Sequence, residues 1–133
     1  MIVHALGPHD DRTFSARVAG AAALVVAKAH KIGERAHSSP GRLVDKDAHD
    51  VYRILVGTEM AVLAQGFDRL FEDDLSRSPT EEATAFIRDL FAVGPDAAGS
   101  MMAGRTEAGI GEPETVARQV SILASDLLAS IRT

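Results

Sequence analysis

Three basic side chains in the first part of the chain are spaced so that one ligand could contact all of them. Lys28, Lys31 and Arg35 occupy positions i, i+3 and i+7, which share one face of a helix over two turns. The residues around them, in ALVVAKAHKIGER, are mostly apolar. Lysine and arginine are the side chains that bind phosphate groups most often. The spacing therefore makes this face a candidate site for a phosphate-bearing ligand.

A pair of carboxylates follows in the next predicted helix. Asp47 and Asp50 lie three residues apart, with Lys46 beside them. A basic stripe on one helix and a carboxylate pair on the next predict an ionic cluster across two adjacent antiparallel helices. One interpretation is a salt-bridge network that only stabilises the fold. The other is a pocket in which the basic residues hold phosphates and one aspartate holds a base or orders a cation.

The distribution of charge supports a search for polar chemistry in this part of the chain. The net charge of −5 argues against strong nucleic-acid binding. Residues 1–57 nevertheless carry eight Lys/Arg against six Asp/Glu, whereas the remainder carries six against thirteen. All five histidines lie in the first part, but none belongs to a recognised metal-ligand motif, and we expect no metal site.

The absence of cysteine excludes disulfides, thiolate metal sites and a cysteine nucleophile, and it suits a reducing compartment. The start MIVHALGPHDD has no basic segment followed by an apolar one, so we do not interpret it as a signal peptide. The longest apolar stretch, residues 21–27, is too short to span a bilayer. The sequence thus predicts a cytoplasmic protein with no membrane partner.

The hydrophobic pattern predicts one mainly α-helical, bundle-like domain over residues 1–133, with five or six helices around one core. Two β-permissive segments, residues 2–7 and 13–19, flank a turn and predict a short β-ribbon within residues 1–19. Residues 20–133 are expected to be helical.

Individual helices follow from apolar spacing and end signals. Helices are expected at residues 21–37, from Asp45 to Gly57 and at 113–131. Two more are expected between them: one capped by Thr58, and one that starts at the capping box Ser78-Pro79-Thr80-Glu81. Leu24 and Val56 are among the side chains expected to point inward. The segment 94–112 is predicted to be a short helix plus a loop. Its glycines recur every five residues, which indicates close helix packing or flexibility.

The charged residues also carry a resemblance to AbiEii-type nucleotidyltransferase-like proteins of toxin–antitoxin systems. The first helical motif of that family is a lysine followed seven residues later by an arginine, which Lys28 and Arg35 match. The second motif is a basic residue, an aspartate, two spacer residues and another aspartate, which Lys46, Asp47 and Asp50 match. The resemblance implies that these residues contribute to ligand binding.

The strong part of this resemblance covers residues 18–56 and leaves out the catalytic domain of the family. That domain is strand-rich and holds magnesium through an Asp-x-Asp pair after a Gly-Ser or Gly-Gly turn. The 27 residues before Lys28 contain no Asp-x-Asp, and Asp10 and Asp11 are adjacent, so on a strand they would face opposite ways. Two-metal phosphoryl transfer needs two converging carboxylates. The resemblance therefore implies a C-terminal helical module that is inactive alone.

Three functional hypotheses follow. The first is a nucleotidyltransferase-related module that binds a nucleotide, a phosphate or a partner domain. This module is expected to use no cofactor in isolation. Magnesium and a nucleoside triphosphate are expected only if the N-terminal catalytic domain, which this sequence lacks, is supplied. The second is a structural or homo-oligomerisation domain whose ionic cluster is only a salt-bridge network. The third is a complete small enzyme, for which the sequence offers no converging acid–base constellation.

Overall fold

The helices predicted from the apolar pattern are present in the computed structural model. It describes residues 11–38, 45–107 and 111–131, with residues 11–19, 37 and 38 described through their backbone alone. Helix α1 spans Asp11–Ser38, α2 Asp45–Gly57, α3 Met60–Glu72, α4 Arg77–Ile87, α5 Ala98–Arg105 and α6 Pro113–Ser130; a π-helical turn, Arg88–Ala92, continues α4. Those residues contain no strand, and the mainly α, bundle-like fold is confirmed.

One hydrophobic core lies between the helices. Helix α1 packs against α2, α3 and α4, while α6 packs against α3, α5 and the π-helical turn. Apolar residues three or four positions apart give each helix one buried stripe. The largest fully buried apolar side chains are Phe67, Phe91, Ile32, Leu63, Ile87, Met102 and Leu127. Helix α1 thereby has neighbours on several sides, and α2 is held at a fixed position beside it.

The predicted β-ribbon is wrong in its second strand. Residues 13–19 lie within α1, which begins at Asp11, and residues 2–7 lie outside the described part of the chain. A helix is costly to nucleate but gains one hydrogen bond for each residue added to it. The helix of the alanine-rich stretch that follows residue 18 can therefore extend toward the N-terminus. The hydrogen bonds gained by this extension outweigh the weak β preference of TFSARVA.

Two side chains predicted to point inward are exposed. Leu24 is 47% exposed and Val56 is 57% exposed. In α1 the buried stripe passes through Val25 and Ala29, so Leu24 is turned away by about one residue's rotation, roughly 100°. The stripe of α2 ends at Leu55, which leaves Val56 beyond its edge.

The predicted helix caps are also wrong, although the helices themselves are present. Helix α3 follows Glu59 rather than Thr58, and α4 follows Ser76 rather than Ser78; neither start has a side-chain cap hydrogen bond. Asp73 instead accepts hydrogen bonds from two backbone N–H groups before α4, those of Leu75 at 2.8 Å and Ser76 at 3.3 Å. This aspartate shapes the turn, and α4 starts two residues earlier than the sequence motif predicts.

Close packing explains two of the regularly spaced glycines. A Cβ atom on Gly99 would lie 2.7 Å from the carbonyl oxygen of Leu90, and one on Gly104 would lie 2.5 Å from that of Pro113. Both distances are too short for any side chain. The prediction of close helix packing is thus confirmed at these two positions, both of them in α5.

Candidate functional site

An ionic cluster joins α1 to α2, and it contains all six charged residues singled out in the sequence. Lys28 Nζ lies 3.2 Å from Asp47 Oδ1 and 3.1 Å from Asp50 Oδ2. Lys31 Nζ lies 3.3 Å from Asp47 Oδ2, and Arg35 Nη1 lies 3.7 Å from the same oxygen. Later residues of α1 thus meet earlier residues of α2, so the two helices are antiparallel, as predicted.

The sixth residue, Lys46, lies on α2 itself. Its Nζ is 3.4 Å from Asp50 Oδ2, four residues further along the helix. The cluster thus brings four cations to two carboxylates and keeps a surplus of two positive charges. In a chain of net charge −5 this surplus is a local feature, and it would attract an anion to the α1–α2 face.

Exposure differs sharply among the members of the cluster. The Asp47 side chain is only 8% exposed, whereas those of Lys31, Arg35 and Lys46 are 44%, 33% and 78% exposed. Asp47 lies in the first turn of α2, where the helix dipole favours a negative charge. Its two oxygens already contact three cations. Solvent therefore meets the outer cations rather than this carboxylate.

Lys28 and Asp50, which are in contact, both have pKa values shifted from their ordinary values. Hydrogen bonds to Asp50 and then to Asp47 raise the pKa of Lys28 above its ordinary value. Burial tends to raise the pKa of Asp50, but hydrogen bonds from Lys28 and Lys46 outweigh it and leave that pKa below the ordinary value. Both groups are therefore charged at neutral pH, and each stabilises the charge of the other.

An open concavity borders the cluster along α1. It has a volume of about 600 Å³ and is lined by Ala27, His30, Lys31, Glu34 and Arg35. Two cations of the cluster thus face a space large enough for a phosphate group. Glu34 places one negative charge at the same edge, which limits the attraction for an anion.

His30, at the same edge, ties α1 to α4. Its Nε2 lies 2.8 Å from the carbonyl oxygen of Pro79, and its ring meets the Phe86 ring edge to face at 5.5 Å between centroids. Its Nδ1 lies 3.5 Å from Glu34 Oε2. No group of three or more metal-ligating side chains occurs among the described residues. The contacts of His30 indicate a packing role.

The opposite side of α2 is held by contacts that the sequence did not predict. Arg105 forms a two-point ion pair with Asp45, with Nη2–Oδ1 and Nε–Oδ2 distances of 2.9 and 3.1 Å. The hydrogen bond to Asp45 raises the pKa of Arg105. His49 Nε2 lies 2.7 Å from Glu107 Oε2. These partners are 58 or more residues apart, so no local spacing could reveal them.

Comparisons of the chain with protein-family models, with curated proteins and with solved structures gave no significant match. The resemblance to AbiEii-type proteins therefore depends on the motif residues themselves and stays a prediction. In the described part of the chain, no helix has the length and apolar character needed to cross a membrane.

Proposed function

We propose that this chain is a helical binding module whose α1–α2 cluster binds a phosphate-bearing ligand such as a nucleotide. The observation that carries the proposal is the surplus of two cations around two occupied carboxylates, with Lys31, Arg35 and Lys46 still partly exposed. Asp47 has a supporting role in this proposal, because it holds the cations in place and does not contact the ligand. The binding site would then be assembled before the ligand arrives.

Affinity at such a site is expected to be low. Asp47 and Asp50 neutralise half of the positive charge, and the outer cations are hydrated before they bind. We expect a dissociation constant on the order of 0.1–1 mM, equivalent to about 4–5.5 kcal/mol. Because the outer cations are exposed, binding should weaken as salt rises and the screening length falls below roughly 10 Å.

The chemical step belongs elsewhere in this proposal. The AbiEii-type resemblance places nucleotidyl transfer in a separate catalytic domain, which would bring magnesium and the nucleoside triphosphate. The helical module would contribute cations that hold phosphate groups near that domain. Its own carboxylates are occupied by lysine and arginine, an arrangement that serves binding rather than phosphoryl transfer.

The proposal is tested by NMR titration of the chain with ATP and with inorganic phosphate at two salt concentrations. Shifts should be confined to the second half of α1 and to α2, and they should shrink at high salt. The variant Lys31→Ala should weaken binding, while Arg69→Ala, which removes an exposed cation from α3, should not. No shifts with several millimolar ligand would reject the binding site.

A structural role is the alternative, and one observation favours it. All four cations of the cluster already contact a carboxylate, so the cluster could serve only to hold α1 against α2. The two roles separate in the same experiment. A scaffold predicts that cluster variants lose stability while neither phosphate nor ATP produces salt-sensitive shifts.

A further inference from the structure

The outward face of α6 carries a pattern that is complementary to itself. Ile122 is 53% exposed, which is unusual for a large apolar side chain. Arg118 lies four residues before it and Asp126 four residues after it, and both are exposed. Residues spaced by four share one face of a helix. The face therefore has an apolar centre between one positive and one negative charge at equal distances.

An apolar groove lies beside this face. It has a volume of about 420 Å³ and is lined by Leu55, Val56, Thr58, Met60, Gln119, Ile122 and Leu123. Val56, on the α2 side, is 57% exposed. Two large apolar side chains are thus exposed along one groove. Covering such a surface removes apolar area from water, which favours association.

The rest of the α6 face leaves room for a second helix. Thr115 and Ala129 lie seven residues from Ile122, and Ser125 lies three residues from it; all three are small and at least partly exposed. Small side chains allow two helix backbones to approach closely. Among the described residues, neither Arg118 nor Asp126 forms an ion pair. Both charges are therefore available to a partner.

We propose that this face binds a second copy of the chain. Two α6 helices that cross antiparallel at Ile122 place Arg118 of each copy beside Asp126 of the other, so the contact is made twice. Ile122 of each copy then covers the apolar groove of the other. A twofold dimer requires such a self-complementary surface, in which residue i meets j and j meets i. A different partner protein would not require equal spacing of opposite charges about one apolar residue.

Charge reversal tests this arrangement by sedimentation velocity over protein concentrations from about 10 µM to 1 mM. The wild-type chain should show concentration-dependent dimer formation. Arg118→Glu and Asp126→Arg should each weaken self-association at least about tenfold, because each replaces two attractive pairs with two repulsive ones. The matched control Arg69→Glu makes the same charge change on α3 and should leave association unchanged.

Mixing the two variants gives the decisive measurement. Two copies of Arg118→Glu repel each other, and so do two copies of Asp126→Arg. When one copy of each variant pairs, both contacts are attractive. The mixture should therefore form a dimer that neither variant forms alone, and the double variant should recover self-association. Circular dichroism checks that each variant is folded.

Three outcomes would overturn the proposal. They are a wild-type monomer at 1 mM, a dimer that survives Ile122→Asp together with Arg118→Glu, and a mixture of the two single variants that stays monomeric. The dimer face is on α6 and the phosphate site is between α1 and α2, so either proposal can fail without the other.

Discussion

Lys28 on α1 and Asp47 on α2 are joined by a contact of 3.2 Å that lies at the centre of the α1–α2 cluster. The Asp47 side chain is 8% exposed and the Lys28 side chain 22%, so both charges are largely withdrawn from water. A withdrawn charge is stable only while its partner is present. Removing one partner should therefore lower the free energy of unfolding by more than the number of contacts alone would indicate.

Asp47→Asn should lower the free energy of unfolding by about 1–3 kcal/mol, below the full penalty for a buried pair because the cations keep partial access to water. Urea unfolding measures this change. The same variant should bind phosphate more weakly, because a neutral amide no longer holds Lys28, Lys31 and Arg35 in place for the ligand. Asp89→Asn, an exposed position on the π-helical turn, should change neither quantity. Phosphate binding that is unchanged or tighter in Asp47→Asn, together with full stability, would contradict this account.

The shifted ionisation of Lys28 and Asp50 predicts the pH range over which their pair stabilises the fold. The folded-state pKa of Asp50 lies below 3.8, so its contribution is complete above that pH and is lost as the pH falls through the folded value. The folded-state pKa of Lys28 lies above 10.5, so its contribution is complete below that pH and is lost as the pH rises through the folded value.

Lys28→Met provides the comparison for this prediction. The difference in unfolding free energy between wild type and variant should be constant between about pH 5 and pH 9 and should shrink toward both extremes. Urea unfolding across the pH range measures it. A difference that stays constant down to pH 2.5 would show that Asp50 does not depend on Lys28 for its lowered pKa.

Local spacing was sufficient to predict the cluster but not its surroundings. Residues three, four and seven apart on one helix must share a face, so the positions of Lys28, Lys31 and Arg35 followed from the sequence alone. The contact of Arg105 with Asp45 depends on where α5 packs, which no periodicity encodes. The early start of α1 has a different cause, because cooperative helix extension overrode the local β preference of residues 13–19.

The isolated chain should transfer no nucleotide when incubated with magnesium, each nucleoside triphosphate and RNA acceptors. The reason is that Asp47 and Asp50 are engaged by cations and that the 27 residues before Lys28 contain no Asp-x-Asp pair. Radiolabel transfer to RNA measures the activity. Transfer that persists through repeated purification and disappears in Asp47→Asn would show that the chain is an enzyme by itself.

Gly104 in α5 lies where α5 approaches α6 closely. An alanine is ordinarily better than a glycine inside a helix by about 1 kcal/mol. At Gly104, however, the added methyl group would lie 2.5 Å from the carbonyl oxygen of Pro113, a backbone atom at the first residue of α6. A backbone atom cannot rotate away as a side chain can, so α5 and α6 must move apart. This movement should cost more free energy than alanine gains in the helix, by about 1–3 kcal/mol.

Gly20→Ala is the matched control, because Gly20 lies inside α1 with no atom within 4 Å of an added Cβ. It should raise the free energy of unfolding by about 0.5–1 kcal/mol, whereas Gly104→Ala should lower it. Thermal and urea unfolding measure both changes. The opposite signs isolate the close approach of α5 to α6 from the general preference of helices for alanine. If both variants were stabilised equally, the α5–α6 contact would have to be looser than the structure places it.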